Sequence, residues 1–135
     1  MKQRKMYTPH SNDLRSRILV IDDDREVVET IKLALESNGF EVITAHDGAT
    51  GIALVQQSRP DLVILDMMLP KRSGFLVLET LRQFESIPTR VIMITANDGK
   101  RHREYAESLG VDGYLNKPFE ISVLINMIHD LLDIN

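Results

Sequence analysis

Asp66 closes an apolar run, Leu62–Leu65, and Pro70 follows four residues on. A short apolar run with β-branched members and a proline behind it reads as a buried parallel strand that ends at a loop. The carboxylate then sits at the carboxyl end of an interior strand, where open α/β sheets bind ligands. A carboxylate can attack phosphorus and form an acyl phosphate, so Asp66 is read as a phosphoryl acceptor. Other polar residues follow other predicted strands. Asp22, Asp23 and Asp24 come after Ile18–Ile21, Thr95 after Arg90–Ile94, and Lys117 after Asp112–Asn116. Clustered carboxylates repel one another. A hard divalent cation with oxygen ligands, Mg²⁺ with Mn²⁺ as the alternative, is the expected counter-charge. The Thr95 hydroxyl can donate to one phosphoryl oxygen, and the Lys117 ammonium can pair with another.

These residues are far apart in sequence, so elements must gather them. Glu26–Asn38 carries Val27, Val28, Ile31, Ala34 and Leu35 at helical spacing, with Gly39 as a C-terminal stop. Phe40–Ala45 reads as a second, edge strand, and Ala49–Ser58 as a helix with Ile52, Ala53 and Val55 inward, ended by Pro60. Ser73–Phe84 reads as a helix capped by Ser73, with Phe75, Leu76, Leu78 and Leu81 as its core stripe. Pro88 breaks the chain before the fourth strand. Lys100–Leu109 is a polar helix closed by Gly110, and Glu120–Asp133 a last helix with six apolar residues at helical spacing. A strand followed by a helix, five times over, predicts a parallel α/β sheet with right-handed crossovers and both faces covered. All the strand-end residues then share one edge.

Composition narrows the rest. At 135 residues, with 43% hydrophobic and 27% charged, the chain is one globular domain and not a disordered tract. Cysteine is absent, which excludes disulfides and thiolate metal sites. No apolar run is long enough for a membrane span, and the basic start lacks the apolar core of a secretory signal, so the cytoplasm is expected. Met1–Arg17 carries a net charge of +4 and the remainder −8. The first segment is read as a flexible basic arm, 1–17, and 18–135 as the folded domain. An acidic body argues against direct nucleic-acid binding.

Each residue alone has an ordinary explanation. Asp24 is best read as the cap of the first helix, Thr95 alone would be a loop residue, and Lys117 alone a solvated charge. Their joint arrival at four strand ends outweighs that. Lys117–Pro118 is a candidate cis peptide. The four histidines lack metal-ligand spacing and are read as surface residues; Met67 and Met68 are read as packing or lining residues. Tyr114 is either a half-buried strand aromatic or a mobile reporter.

The stretches ILVIDDD, DLVILDMMLPKRSG, VIMITA and GYLNKPF, with intervals of 44, 29 and 22 residues between Asp22, Asp66, Thr95 and Lys117, resemble the response-regulator receiver domains of two-component systems, chemotaxis regulators included. The resemblance covers the chain from about Ile18. It implies a flavodoxin-like doubly wound sheet of five parallel strands in the order 2-1-3-4-5. It implies Asp66 as phosphoacceptor, served by the phosphohistidine of a sensor histidine kinase or phosphotransfer protein. Asp23 would bind magnesium directly and Asp22 mainly through water, with the Met68 backbone carbonyl completing the site beside Asp66. Thr95 and Tyr114 match a switch pair. The face made by the fourth helix, fifth strand and fifth helix would be read by an output partner or domain, or by a second copy in a phosphorylation-dependent homodimer. In such a dimer Lys100, Arg101 and Arg103 would meet Asp112, Asp130 or Asp133. Met68 and Asn97 flank the expected path of an attacking water, and apolar Met68 is expected to slow hydrolysis.

Three rivals fit less well. An aspartyl-phosphate hydrolase wants a proton-moving acid two residues after the nucleophile, where Met68 stands. A nucleotide or flavin site wants a phosphate-friendly first loop, and this one is acidic. A purely structural module leaves the converging acids and lysine without a reason. The domain is therefore read as a regulatory phosphoacceptor and not as an enzyme acting on other substrates.

Overall fold

The computed structural model describes residues 15–70, 73–84, 89–96 and 99–134. The chain runs β1 (Arg17–Ile21), α1 (Arg25–Ser37), β2 (Glu41–Ala45), α2 (Gly48–Ser58), β3 (Leu62–Asp66), α3 (Gly74–Arg82), β4 (Arg90–Thr95), α4 (Lys100–Ser108), β5 (Gly113–Asn116), α5 (Ile121–Leu132). The strands form one parallel sheet in the order β2-β1-β3-β4-β5. This is the doubly wound order that the resemblance implies.

The apolar runs of β1, β3 and β4 serve two cores at once, because successive strand residues point to opposite faces. Leu19, Ile21, Val63, Leu65, Val91 and Met93 pack with Val55 of α2, Val77, Leu78 and Leu81 of α3, and Ala106 of α4. Ile18, Val20, Leu62, Ile64, Ile92 and Ile94 pack with Val28, Ile31 and Leu35 of α1 and Leu124, Ile128 and Leu132 of α5. Each fully buried aliphatic side chain contributes about 1.5–3 kcal/mol relative to exposure. Continuous hydrophobicity is what a strand covered on both faces requires.

Helix ends follow local chemistry. Asp24 caps α1, accepting from the backbone N–H groups of Glu26 and Val27. Asp47 caps α2 and Ser73 caps α3, each through one backbone N–H. Gly39 takes up φ +89 just past α1, where a side chain would be strained. No helix among the described residues is long and apolar enough to cross a membrane.

Several expectations shift. β1 begins at Arg17, a residue assigned to the arm, and Arg17 is buried. Residues 1–14, with His10, lie outside the described residues, as do Pro88 and Asn97. Leu76 is exposed and Val77 takes its place in the core. The buried residues of α3 are Gly74, Val77, Leu78 and Leu81; Leu78 and Leu81 are as expected, and Phe75 is half-buried against the same core. Asp112, proposed for contact with a second copy, is engaged within its own chain: its Oδ2 accepts the Val91 N–H at 2.8 Å and an Arg82 N–H at 3.3 Å.

Candidate functional site

Register explains how the strand-end residues meet. Ile21 is level with Leu65, which sets Asp22 beside Asp66 one step on. Asp66 is level with Ile94, so Thr95 is one step further along β4. Thr95 is level with Asn116, and Lys117 is again one step further. The ladder continues past the strand ends: Met67 N–H donates to the Ile94 carbonyl at 2.9 Å, and Lys117 N–H to the Thr95 carbonyl at 2.7 Å. Asp66 is the last residue of β3 itself and not the first of the loop.

Three carboxylates gather at this edge. One ligand oxygen each from Asp22, Asp23 and Asp66 lies within 4.8 Å of the others. Asp22 and Asp66 are buried, with 0% and 3% of their surface exposed, while Asp23 faces solvent. Lys117 Nζ donates to Asp22 Oδ2 at 2.8 Å and sits 3.6 Å from Asp66 Oδ2. The Lys117–Pro118 bond is cis, as anticipated. Asp22 Oδ1 accepts the Asp24 N–H at 3.0 Å, and Asp66 Oδ1 accepts the Met68 N–H at 3.2 Å. Met67 is buried in the core and the Met68 side chain is exposed.

The electrostatics follow from this crowding. Burial, then the charge of Asp22 and a hydrogen bond shared with it, push Asp66 up from 3.8 to about 6, against the opposing pull of the Met68 N–H and Lys117. Burial works to lower Lys117, but its hydrogen bond to Asp22 and the fields of Asp66, Asp22 and Asp24 prevail and hold it above the usual lysine range. Among the described residues three acids share one lysine here, so a further cation has a place. Oxygens opposed across a Mg²⁺ ion stand roughly 4 Å apart, twice the metal–oxygen distance, and the carboxylate spacing fits such an ion.

Thr95 is fully buried at the end of β4. Tyr114 is 9% exposed, below the guanidinium of Arg103 at 5.5 Å, and belongs to the α2–α3–α4 core. Two residues have contacts here that the sequence did not suggest. Gly74 brings its backbone against Asp66: a Cβ there would run into the Asp66 carbonyl oxygen, and the Gly74 N–H donates to the Met67 carbonyl at 2.8 Å. Its position eight residues after Asp66 was the available signal. The second is His46, whose ring Nδ1 lies 3.1 Å from the Asp22 carbonyl. The described histidines are all half-buried and not surface residues: His102 stacks on Phe75, and His129 lies against Phe40.

Known proteins resemble this chain in sequence and in fold. The family model for the response regulator receiver domain matches residues 18–129. The transcriptional regulatory protein CpxR of Escherichia coli K12 is 43% identical over 117 residues, which is 87% of this chain and 49% of that protein. The alkaline phosphatase synthesis transcriptional regulatory protein PhoP of Bacillus subtilis is 38% identical over 106 residues, 78% of this chain and 44% of that protein. The chain spans about half the length of these curated relatives. A CheY-like response regulator receiver domain protein from Methanospirillum hungatei JF-1 superposes with a TM-score of 0.84 at 28% identity, covering 88% of this chain and 94% of that one. The receiver domain of Francisella response regulator 1452 gives 0.82 at 33% identity, covering 88% and 98%.

Proposed function

The chain belongs to the response regulator receiver domain family of two-component systems, and from that premise we propose that Asp66 is its phosphoacceptor. A carboxylate oxygen of Asp66 forms the new O–P bond as the P–N bond of a sensor kinase's phosphohistidine breaks, and the imidazole leaves with the electron pair. The observation that carries this reading is the convergence of Asp22, Asp23 and Asp66 around Lys117 at one sheet edge.

Asp22, Asp23, Asp66 and the Met68 carbonyl would hold Mg²⁺ or Mn²⁺. Bound there, the ion supplies neutralising charge for the phosphoryl oxygens. Lys117 pairs with a second oxygen and Thr95 donates to a third. With its pKa at about 6, Asp66 is mostly ionised at neutral pH and so available to attack. The domain promotes its own phosphorylation and its own hydrolysis, with no substrate beyond itself. Thr95 and Tyr114 act as the switch pair, and the α4-β5-α5 face carries the result to an output partner or a second copy. The names of CpxR and PhoP favour transcriptional output, and the compartment is read as the cytoplasm.

Incubation with acetyl phosphate and Mg²⁺, followed by intact-mass measurement, tests the assignment. The expected gain is one phosphoryl group, absent in Asp66→Asn. A gain that survives Asp66→Asn refutes the acceptor, and sustained phosphate release at many turnovers would instead identify a hydrolase.

A further inference from the structure

β1 and β2 pair as far as Ile21 and Ala45, and the Asp22 N–H adds one more bond to the Ala45 carbonyl at 3.1 Å. There β2 ends, and Asp47 is already the cap of α2. The chain therefore leaves the sheet at His46. The half-buried His46 ring turns back, and its Nδ1 reaches the Asp22 carbonyl at 3.1 Å. A carbonyl oxygen only accepts, so Nδ1 carries the hydrogen and the contact fixes one tautomer of the ring.

The carbonyl it holds belongs to the peptide joining Asp22 to Asp23. Asp22 is then held at every polar atom: N–H by Ala45, carbonyl by His46, Oδ1 by the Asp24 N–H and Oδ2 by Lys117. Fixing that peptide plane sets ψ of Asp22 and φ of Asp23. Asp23 is exposed, so the direction of its carboxylate depends on the backbone that bears it. We propose that His46 is a positioning residue for the acidic loop: its Nδ1–H, by holding the Asp22–Asp23 peptide, aims both carboxylates at the cation site. The inference rests on the cation reading given above and adds to it a residue that touches neither metal nor phosphoryl group.

The test compares Mg²⁺ binding by calorimetry in the wild type, His46→Phe and His46→Asn, each checked for folding by thermal melting. Phenylalanine keeps a ring without the donor. Asparagine keeps an N–H at the position of the imidazole Nδ1. Partners that orient metal ligands typically change affinity 10–100-fold, so His46→Phe is expected to bind about tenfold more weakly, with His46→Asn restoring most of the loss. In the metal-free wild type, nitrogen-15 spectra of the imidazole should report the Nδ1–H tautomer whatever becomes of the variants. Wild-type affinity in His46→Phe, equal weakness in both variants, or an Nε2–H tautomer each overturns the proposal while leaving the cation site standing. A wild type that binds no Mg²⁺ overturns the cation reading, and the proposal with it.

Discussion

At the amino end of the sheet Arg17 reaches the Ser58 carbonyl and Glu41, while Asp61 takes the Arg17 N–H at 2.7 Å. Nearby, Asp112 lies between Arg82 and Arg90 and also accepts the Val91 N–H. At the carboxyl end, Asp22, Asp23 and Asp66 face Lys117. Both ends collect charged residues, but among the described residues the first balances them and the second leaves acids in excess. Charges matched by the chain itself tie strand ends together. Charges left in excess hold the fold at some cost, and such excess is common where a ligand completes the set.

The contrast can be broken most sharply at Lys117. Lys117→Met should lower the rate of phosphorylation by acetyl phosphate about 10²–10³-fold, the usual loss when one preorganised charge partner is removed. A rate within a few-fold of wild type would assign Lys117 to structure alone. At the other end Asp112→Ala should leave that rate unchanged. It should lower unfolding free energy by about 1–3 kcal/mol, because the Val91 N–H and two guanidinium groups lose their acceptor. Equal phosphorylation and reduced stability in denaturant would mark the amino end as structural.

A smaller effect is expected with pH. In metal-free protein the Asp66 carboxyl should titrate near 6 by carbon-13 shift, and Mg²⁺ should move it down. The folded pKa lies above the ordinary 3.8, so between 3.8 and 6 the folded state binds more protons than the unfolded one. This group's contribution is therefore fully present below pH 3.8 and is lost as pH rises through 6. Titration near 3.8 would remove the electrostatic part of the comparison.

The sequence made the fold readable because β1, β3 and β4 are buried on both faces and interrupted by polar strand ends. The site was readable for a related reason: Asp22, Asp66 and Thr95 each break an apolar run, and Lys117 follows the short strand that ends at Asn116. One position of the α3 stripe was not, because Phe75, Leu76, Val77 and Leu78 are all apolar in sequence, and it is Val77 and not Leu76 that turns inward. Arg17 looked like part of a basic arm because its partners Glu41, Ser58 and Asp61 come from three later segments. His46 gave no metal-ligand spacing, and its contact is with a carbonyl 24 residues away. What escaped the sequence were contacts set by backbone approach and by partners distant along the chain.

The carboxyl-edge acids are in excess until a cation arrives. Unfolding of wild type and Asp66→Asn in denaturant at pH 7, with and without Mg²⁺, tests this directly. Without metal, Asp66→Asn should be the more stable, by on the order of 1–3 kcal/mol given the upward shift of Asp66. Added Mg²⁺ should stabilise the wild type, by about 1.4 kcal/mol at ten times its Kd, and the variant much less. A metal-free Asp66→Asn less stable than wild type, or equal gains from Mg²⁺ in both proteins, would contradict it.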